Sequence, residues 1–469
     1  MAKYFVTTPI YYVNDVPHIG HAYTTVAADA LARYWREKVG KENVFFLTGT
    51  DEHGAKVAQA AKEAGKTPKE FADSVVPRFQ EAWKLLNIEY DYFIRTTDPK
   101  HERVVREILQ KIYDKGYIYE GVYEGLYCEG CEKFLTKDEL VDGKCPLHPN
   151  KEPVYQKEKN YFFRLSAFKD KLLGIFNGNG YQILPEPRKN EILGKLQGEL
   201  QDVSISRAGV SWGIPIPWDK KQTIYVWVDA LFNYYSTVRF LKNKSAFWPP
   251  DLHLVGKDIL WFHAVIWAAL LLAADLKLPK KVFAHGFFTI GGQKMSKSLG
   301  NVISPQQLVE RYGKDAARYL LLSEFPFGED GDFSFEKLDT RYNADLANGL
   351  GNVVARVAKL CQESDFLFAR EGEFAISGPV EERLEGFRFH DALGVVRAII
   401  DGSNKSLDED EPWKLSGERL KQSLAKQVRR IRQIACELQP FLPETAGKIE
   451  KQFAGPKIKS DKPLFPRLT

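Results

Sequence analysis

The sequence KYFVTTPIYYVNDVPHIGHAYTTVAADALARY at residues 3–34 predicts a strand, a loop and a helix in succession. Residues 3–8 are rich in β-branched and aromatic side chains, as strands are, and we expect Pro9 to end this strand. From Ala22 to Tyr34 the apolar residues recur at helical spacing, so we expect the helix to begin near His18. A strand that leads into a helix in this way is typical of the first unit of an alternating α/β fold.

The alternation of strands and helices continues along the chain. Helical patterns cover residues 55–64 and 100–115. Runs that are apolar on both faces, as in buried parallel strands, predict further strands at residues 44–47, 92–95, 223–230, 252–255 and 282–286. The sequence therefore predicts a doubly wound parallel sheet, with an insertion between its two halves.

Composition limits the class of protein. A chain of 469 residues is too long for one core, and 44% hydrophobic and 27% charged residues are typical of a soluble globular protein. The net charge of +4 permits a polyanionic partner without requiring one. No secretory signal is expected, and residues 259–274 are too short to span a bilayer comfortably, so we predict a buried helix there. Five cysteines do not indicate a disulfide scaffold, and a cytoplasmic protein without membrane contact is expected.

His18-Ile19-Gly20-His21 opens the first predicted helix. The two histidines are three positions apart, so they share one face of the first turn. A helix N-terminus offers free N–H groups and partial positive charge, and two imidazoles there can donate to phosphate oxygens. Gly20 leaves room for a nucleotide base beside the backbone. The alternative interpretation is a polar helix start with two incidental histidines.

Lys294-Met295-Ser296-Lys297-Ser298 lies between Gly292 and Gly300. Glycine permits tight turns, lysine supplies mobile positive charge and serine supplies hydroxyl donors. This combination suits a loop that closes over a polyphosphate as charge develops in the reaction. A solvated basic surface loop is the alternative. Farther along, the acidic and glycine-containing residues 323–333 are expected to form a connector.

Asp51-Glu52-His53 follows the second predicted strand, at the sheet edge where α/β proteins bind ligands. This cluster could be an acid/base set, a metal site or an ammonium site, or it could cap the following helix. In the insertion, Cys128, Cys131, Cys145 and His148 form a C-x₂-C and C-x₂-H set. That spacing indicates a closed tetrahedral zinc site with a structural role.

The histidine and lysine motifs occur together, in full, in the class I aminoacyl-tRNA synthetases, and the chain resembles this family. Within it, the resemblance to the methionyl-tRNA synthetases extends over essentially the whole length. Besides the zinc set, it rests on these matches: Pro9-Ile10-Tyr11-Tyr12, Gly49-Thr50-Asp51-Glu52-His53-Gly54, Trp227-Val228-Asp229-Ala230, Gly256-Lys257-Asp258 and Asn348-Gly349-Leu350-Gly351-Asn352.

The resemblance implies a two-step ligase reaction. Methionine and ATP, with Mg²⁺, give methionyl-adenylate and pyrophosphate, and the methionyl group then moves to the terminal adenosine of tRNA(Met). For the phosphates it implies His18, His21, Lys294, Lys297 and Ser298, with Gly20 under adenine and Asp258 on the ribose. For methionine it implies Asp51 on the ammonium and Tyr12 and His263 near the sulfur. Candidates for the pocket wall, each of which could instead be core, are Ile10, Trp227, Leu231, Tyr234, Phe262 and Trp267.

The expected domain organisation has five segments. These are residues 1–116 and 223–303 for the two halves of the Rossmann-type catalytic domain, 117–222 for the connective insertion with the zinc knuckle, 304–340 for a helical connector and 341–469 for an all-α bundle. The resemblance implies that the bundle binds the anticodon, through Asn348, Asn352, Arg356 and Trp413. A monomer is expected, because the dimerisation module frequent at the C-terminus of the family is absent.

Three other interpretations are open at this point. A class I synthetase for another apolar amino acid would usually carry a large editing insertion, whereas the insertion here is short and contains the zinc set. A small-molecule nucleotidyltransferase would share the histidine motif but needs neither the bundle nor the knuckle. A non-catalytic tRNA-binding relative would be expected to have lost motif residues, and here both motifs are intact.

Overall fold

The computed structural model describes residues 2–128, 133–135, 140–146, 150–295, 300–370 and 372–468. Within these residues the strands are β1 (Tyr4–Tyr12), β2 (Val44–Asp51), β3 (Tyr92–Arg95), β4 (Ile118–Cys128), β5 (Lys133–Leu135), β6 (Val154–Phe163), β7 (Gln182–Leu184), β8 (Val203–Ser204), β9 (Ser206–Arg207), β10 (Thr223–Ile224), β11 (Leu252–Gly256), β12 (Lys281–His285), β13 (Phe288–Ile290), β14 (Gln293–Lys294) and β15 (Gly331–Asp332).

The α-helices of the same residues are α1 (Ile19–Val39), α2 (Ala55–Glu63), α3 (Pro68–Leu85), α4 (Pro99–Asp114), α5 (Lys169–Asn177), α6 (Glu186–Gln197), α7 (Val226–Leu231), α8 (Asn233–Phe240), α9 (Trp267–Ala273), α10 (Pro305–Tyr312), α11 (Lys314–Ser323), α12 (Phe335–Arg341), α13 (Asn352–Ser364), α14 (Gly378–Glu385), α15 (Phe389–Asp410), α16 (Gly417–Leu438) and α17 (Pro443–Gln452). Two stretches, Phe262–Ile266 and Tyr342–Gly351, are wound with the wider π spacing.

The central sheet has six parallel strands in the order β3-β2-β1-β11-β12-β7. From β1 the chain builds outward in one direction through β2 and β3, and later in the other through β11 and β12. The strand order therefore reverses between β1 and β11, and in such sheets ligands bind at the carboxyl ends of the strands at this point. The predicted doubly wound sheet is confirmed.

Alternate residues of β1 and β2 enter two separate cores, because successive side chains of a strand point to opposite faces. Phe5, Phe45 and Leu47 pack with α4, α9 and the insertion. Val6 and Phe46 pack with α1, α3 and the C-terminal helices. The sheet is thus covered by helices on both faces, which is why its strands read as continuous apolar runs.

Two local predictions were wrong. Strand β1 does not end at Pro9 but continues to Tyr12, with a register shift between Thr7 and Ile10. Proline has no N–H for the ladder, so the irregularity falls where proline stands. Residues 223–230 do not form one strand, because only Thr223–Ile224 pairs and α7 follows. A short run that is buried on every side cannot be recognised as strand or helix from its periodicity.

The segment between α4 and β10 forms a second, antiparallel sheet in the order β5-β4-β6-β8. Strands β4 and β6 pair along their length, from Ile118 opposite Phe163 to Tyr127 opposite Val154. The strand β7, which lies within the range predicted for the insertion, pairs in parallel with β12 and adds an edge strand to the central sheet. The chain therefore passes from the antiparallel sheet to the edge of the central sheet at β7, and returns to the antiparallel sheet at β8.

The C-terminal part is helical, as predicted, from α12 to α17. After α17 the chain returns along the bundle, where Asn343 exchanges two hydrogen bonds with the backbone of Leu468, of 2.9 and 3.1 Å. The all-α bundle prediction is confirmed. In the described part of the chain, no helix combines the length and the apolar character that a membrane span requires.

Candidate active site

His18 and His21 cap the N-terminus of α1 reciprocally. The backbone N–H of Gly20 donates to His18 Nδ1 at 3.1 Å, and the backbone N–H of His18 donates to His21 Nδ1 at 3.2 Å. Burial lowers the pKa of His18 to about 4, against a smaller opposing effect of Asp15. Burial and the neighbouring His18 hold the pKa of His21 well below its usual value. Both rings are therefore neutral at pH 7.

A neutral imidazole has one donor nitrogen and one acceptor nitrogen. Because Nδ1 accepts a backbone N–H in each ring, the proton of each ring lies on Nε2. The rings stack, with centroids 3.8 Å apart and planes inclined by 25°. The helix start therefore presents two fixed Nε2–H donors that carry no charge of their own, at the end of the helix that attracts anions. This is the arrangement that the sequence predicted for phosphate.

The structure brings the histidine and lysine motifs together. The backbone N–H of Ile19 donates to the carbonyl of Ile303 at 2.9 Å. A methyl group at Gly20 would lie 2.9 Å from His18 Cε1, closer than side chains pack, and 3.6 Å from Met295 Cε. Position 20 thus requires glycine, and Met295 lies directly over it. The Lys294 side chain, Lys297 and Ser298 lie outside the described residues, so their predicted contacts stay predictions.

The base of the lysine loop is held by two aspartates that sequence analysis assigned only to a connector. Asp332 Oδ1 accepts the backbone N–H of Gly292 at 2.7 Å and the Thr289 hydroxyl at 3.0 Å. Asp330 Oδ1 accepts the backbone N–H of Phe287 at 2.8 Å, and its Oδ2 pairs with Lys257 Nζ at 2.5 Å. The only sequence feature that could have indicated this role is that both aspartates lie next to glycine in an acidic segment. Such a segment is also typical of a solvated linker.

Asp258, predicted for the ribose, follows the carboxyl end of β11 and is exposed. Asp51, predicted for the ammonium, is the last residue of β2, and its neighbour across the sheet is Tyr12 at the end of β1. Asp51 is 6% exposed, so its carboxylate lies almost entirely out of contact with solvent. These three residues come from neighbouring strands on both sides of the switch point.

Two predicted wall residues, Trp227 and Phe262, stack at 4.1 Å between ring centroids with planes inclined by 11°. Both are partly buried, as expected for a wall that a ligand contacts. Ile10 is also partly buried, whereas Leu231 and Tyr234 are 1% exposed and belong to the core behind it. Trp267 is fully buried. The predicted wall residues therefore form two layers. The partly buried residues form an open layer, and the buried residues form a closed layer behind it.

His263 and Tyr234 are joined in the closed layer. The Nδ1 of His263 lies 3.0 Å from the Ile259 carbonyl, which can only accept, so Nδ1 carries the proton. Burial lowers the pKa of His263 to about 4, so its Nε2 is an acceptor, and the Tyr234 hydroxyl donates to it at 2.9 Å. The His263 donor is thus directed at a backbone carbonyl, and the predicted contacts of Tyr12 and His263 with the sulfur stay predictions.

His253 is a buried residue that sequence analysis missed. Its Nε2 accepts the Trp267 indole N–H at 3.3 Å, so its Nδ1 donates to the Thr7 hydroxyl at 2.6 Å. Burial keeps the pKa of His253 well below its usual value. His253 thereby links α9 to β1 beneath the wall. These hydrogen bonds could not be predicted, because the sequence shows only a single histidine within an apolar strand.

The cluster Asp51-Glu52-His53 separates into three roles. Glu52 accepts Arg95 Nε at 2.7 Å and Arg95 Nη2 at 2.8 Å, a bidentate pair at full burial of the carboxylate. His53 Nδ1 donates to Asp229 at 2.7 Å. Glu52 and His53 are thus bound by protein groups, and the ammonium role of Asp51 stays a prediction. In the described residues no group of three or more His, Cys, Asp and Glu side chains is placed to hold a metal ion.

Comparison with known proteins agrees with this geometry. The family model for class I tRNA synthetases (M) matches residues 4–152 and 148–358. The methionine–tRNA ligase of Caldanaerobacter subterraneus subsp. tengcongensis is 42% identical over 99% of this chain and 79% of its own length. The chain belongs to the class I methionyl-tRNA synthetases. The ligase of Thermotoga maritima is 43% identical over 95% of this chain and 74% of its own.

A solved methionyl-tRNA synthetase shares the whole fold. The enzyme of Mycobacterium tuberculosis, in complex with methionyl-adenylate, matches over 100% of both chains, with a TM-score of 0.92 and 39% identity. The family predicted from the two motifs is thus confirmed, and the α/β core and helical C-terminal part of this chain agree with it.

Two members of the predicted zinc set, Cys128 and Cys145, lie near the strands β4 and β5. Cys128 ends β4, and Cys145 is packed with it and Leu135 in one small buried cluster. Two thiols buried in the same cluster fit a structural zinc site, since thiolates are its preferred ligands. Cys131 and His148 lie outside the described residues, so the full ligand set stays a prediction.

The four residues predicted for the anticodon lie on helices of the bundle and are called here the Trp413 face: Asn348, Asn352, Arg356 and Trp413. Trp413 is 50% exposed, and the Arg356 guanidinium lies 5.7 Å from its ring centroid. Arg356 also pairs with Asp408 at 2.7 Å. Asn348 and Asn352 are exposed on one helix face. An exposed indole beside a guanidinium suits stacking on a splayed base.

Proposed function

We propose that this protein ligates methionine to tRNA(Met) in two steps. Methionine and ATP first give methionyl-adenylate and pyrophosphate, and the methionyl group is then transferred to the terminal adenosine of the tRNA. The observation that carries the proposal is the pair of uncharged Nε2–H donors of His18 and His21, fixed where the strand order of the sheet reverses. Membership of the methionyl-tRNA synthetases supplies the amino acid and the tRNA.

The first step needs charge stabilisation rather than a general base. The methionine carboxylate is already ionised and attacks the α-phosphorus, and the bond to the bridging oxygen of pyrophosphate breaks. Negative charge then accumulates on the departing pyrophosphate. His18 and His21 donate hydrogen bonds to these oxygens, and Lys294, Lys297 and Ser298 of the loop add positive charge and a hydroxyl donor. Mg²⁺ enters with ATP and neutralises part of the phosphate charge.

The nucleoside of ATP lies along the β1–β11 edge in this proposal. Adenine packs against Gly20, where Met295 now lies and any side chain would collide with His18. The ribose hydroxyls are bound by Asp258 at the end of β11. Gly20 lies in the helix that follows β1, and Asp258 directly follows β11, the two strands on either side of the switch point. In this proposal the α-phosphate therefore lies near the two histidines.

Methionine lies across the ends of β1 and β2. Asp51 pairs with the ammonium group, and Tyr12, its neighbour in the sheet, reaches the sulfur. Ile10, Trp227 and Phe262 form the apolar wall, supported from behind by Leu231, Tyr234, His263 and Trp267. A thioether is polarisable and a weak acceptor, so an aromatic wall with one hydroxyl donor favours it over a plain alkyl chain.

In the second step a ribose hydroxyl of the tRNA end attacks the methionyl carbonyl, and AMP leaves. The Trp413 face binds the anticodon, with Trp413 stacked on a base and Asn348, Asn352 and Arg356 bound to base edges. Cys128, Cys131, Cys145 and His148 hold one structural Zn²⁺, which would fix the tip of the β4–β6 sheet. We further infer a monomer that acts in the cytoplasm, and light scattering of the purified protein tests the first of these.

The experiment that tests the function is exchange of pyrophosphate into ATP, measured for each of the twenty amino acids in the absence of tRNA. We expect exchange with methionine alone. Exchange with leucine, isoleucine or valine instead would keep the phosphate chemistry and overturn the pocket. No exchange with any amino acid, in protein that binds tRNA, would favour a non-catalytic tRNA-binding protein.

One variant and one metal-removal experiment test the lysine loop and the zinc site separately. Lys297→Ala should abolish exchange while tRNA binding stays close to that of the unaltered protein, and near-normal exchange would refute the role of the loop. Removal of zinc by a chelator should lower the melting temperature, because binding energy at a structural zinc site contributes to folding. An unchanged melting curve in protein shown to have lost its metal would refute the structural site.

A further inference from the structure

A buried carboxylate beneath the methionine pocket has no role in the two reaction steps. Asp229 in α7 is 1% exposed and is bound by two imidazoles. His53 Nδ1 donates to its Oδ2 at 2.7 Å, and His101 Nε2 donates to its Oδ1 at 2.7 Å. His53 is 4% exposed and His101 is fully buried. We call Asp229, His53 and His101 the carboxylate clamp.

The clamp connects the end of β2, which carries Asp51, to α7, which carries Trp227. In the proposed function these two residues lie on opposite sides of the methionine pocket. His53 lies two residues after Asp51, which binds the ammonium group in the proposed function. Asp229 lies two residues after Trp227, which forms the apolar wall, and two before Leu231 behind that wall. His101 belongs to α4 and contacts the Ser236 hydroxyl of α8 at 2.6 Å through Nδ1. The ammonium side and the thioether side of the pocket are therefore connected through one carboxylate.

The chemistry of the clamp makes this connection stiff. Burial alone would raise the pKa of Asp229, but His53 and His101 outweigh it and lower that pKa. Burial alone would lower the pKa of His53, but Asp229 outweighs it and raises that pKa. Each group is thus stable in its charged form only while the other stays in contact. A buried charge that loses its partner is costly, so displacement of α7 from the end of β2 is resisted.

The helix α7 is short and depends on tertiary contacts for its position. It has only six residues, and no side chain caps its N-terminus. Short helices owe their stability to tertiary contacts rather than to their own hydrogen bonds. The other residues of α7 are buried in the core, whereas Trp227 is partly buried and packs against that core. The clamp is the charged contact that this helix makes with the Asp51 side of the site.

We propose that Asp229 is a positioning residue for methionine: by binding His53 and His101, it fixes the separation between Asp51 and Trp227. This rests on the proposed function, since it assumes that methionine lies between these two residues. A ligand held at both ends tolerates little change in their separation, and misplacement by about 1 Å can cost two orders of magnitude in rate or binding.

The test is methionine-dependent exchange of pyrophosphate into ATP, with KM measured separately for methionine and for ATP. Asp229→Asn keeps the shape of the side chain and removes its charge. We expect it to raise the KM for methionine by about tenfold or more, with the KM for ATP within about twofold of the unaltered protein. His101→Leu should act in the same direction, and His101→Gln less, because a glutamine amide can still donate to Asp229.

The matched control is Asp29→Asn, which removes another fully buried carboxylate that lies far from the pocket in α1. It should lower the melting temperature and leave the KM for methionine unchanged. If Asp229→Asn does not fold, the His101 pair gives the same comparison. A KM for methionine within about twofold of the unaltered protein, in folded Asp229→Asn or His101→Leu, overturns the proposal. Absence of methionine exchange in the unaltered protein would instead refute the proposed function.

Discussion

Asp29 Oδ2 and Arg318 Nη2 form an ion pair of 2.7 Å in which neither side chain is exposed to solvent. Asp29 lies in α1 of the catalytic domain, and Arg318 lies in α11 beyond the lysine loop. The same guanidinium donates to the carbonyls of Leu86, Pro440 and Phe441. Arg318 therefore connects α1 directly to the segment that follows α16 in the bundle.

Removal of the Arg318 guanidinium should lower the free energy of unfolding. In Arg318→Met, Asp29 keeps Arg33 as a partner at 2.7 Å, but three carbonyls lose their donor. We expect a loss of about 3 kcal/mol in the free energy of unfolding, as for other buried pairs that lose one member. Urea unfolding followed by tryptophan fluorescence measures it. The control is Glu444→Gln, which breaks the half-exposed pair with Lys314 and should cost less than about 1 kcal/mol. Equal effects of the two changes would contradict this prediction.

The tautomers of His18 and His21 give a prediction for the reaction site. With ¹⁵N-labelled histidine, the two-bond correlation pattern at pH 7 should show the proton on Nε2 in both rings. His18 should titrate near its pKa of about 4. Since burial puts this value below the usual 6.5 of an unfolded chain, the unfolded state binds more protons between these values. Stability should then rise with pH from about 4 to about 6.5.

The matched control for the titration is His18→Asn, whose amide keeps the acceptor for the Gly20 N–H. This variant should lose the His18 resonance, while those of His263 and His285, whose pKa values are also lowered to about 4, remain. It should also lose most of the activity, while the cap of α1 survives. Titration of His18 near pH 6.5 in the unaltered protein would contradict the neutral, fixed pair of donors.

Features that depend on local pattern could be predicted from the sequence. The strands β11 and β12 were predicted because each is a short run that is apolar on both faces, and α1 because its apolar residues recur at helical spacing. The start of α1 at the histidine motif was also predicted correctly, since the motif and the apolar period that follows it are adjacent in the chain. The six-residue helix α7 was missed because all the side chains around it are buried, which removes the period that distinguishes a helix from a strand.

Contacts between distant positions could not be predicted. His101 reads as an ordinary residue near the start of α4, and nothing in its neighbourhood indicates a bond to Asp229. Arg318 reads as one charge in an amphipathic helix. The same holds for Asp332, whose acidic, glycine-containing surroundings are typical of a linker. In each case the partner is brought close only by the packing of complete elements, which a single sequence does not encode as a short pattern.

Asp332 should hold the start of the lysine loop in place. Its carboxylate binds the N–H of Gly292 and the hydroxyl of Thr289, and its second oxygen pairs with Lys337 Nζ at 3.2 Å. Gly292 has a φ of 74°, a left-handed conformation that favours glycine and fixes the direction in which the loop leaves β13. Asp332→Ala removes this anchor, so the loop lysines should reach the phosphates less often.

We expect Asp332→Ala to lower kcat for pyrophosphate exchange by about tenfold, with little change in the KM for methionine, because the loop acts when charge develops. Stopped-flow measurement of adenylate formation gives the rate directly. Glu336→Ala, an exposed acidic residue of α12, is the control and should leave the rate unchanged. A rise in the KM for methionine at constant kcat would place Asp332 in the pocket instead.

Trp413→Ala should separate the two steps of the reaction. The indole is half-exposed on the bundle and touches Arg356, so its removal takes away a stacking surface without opening a core. Stacking of a base on an aromatic side chain is worth about 1–3 kcal/mol, so kcat/KM for charging tRNA should fall by about 10- to 100-fold. Pyrophosphate exchange without tRNA should stay within about twofold of the unaltered protein. The control is Leu367→Ala, a side chain of the same bundle that is 59% exposed, and it should affect neither step. Parallel losses of exchange and charging in Trp413→Ala would show that the indole stabilises the fold rather than the complex with tRNA.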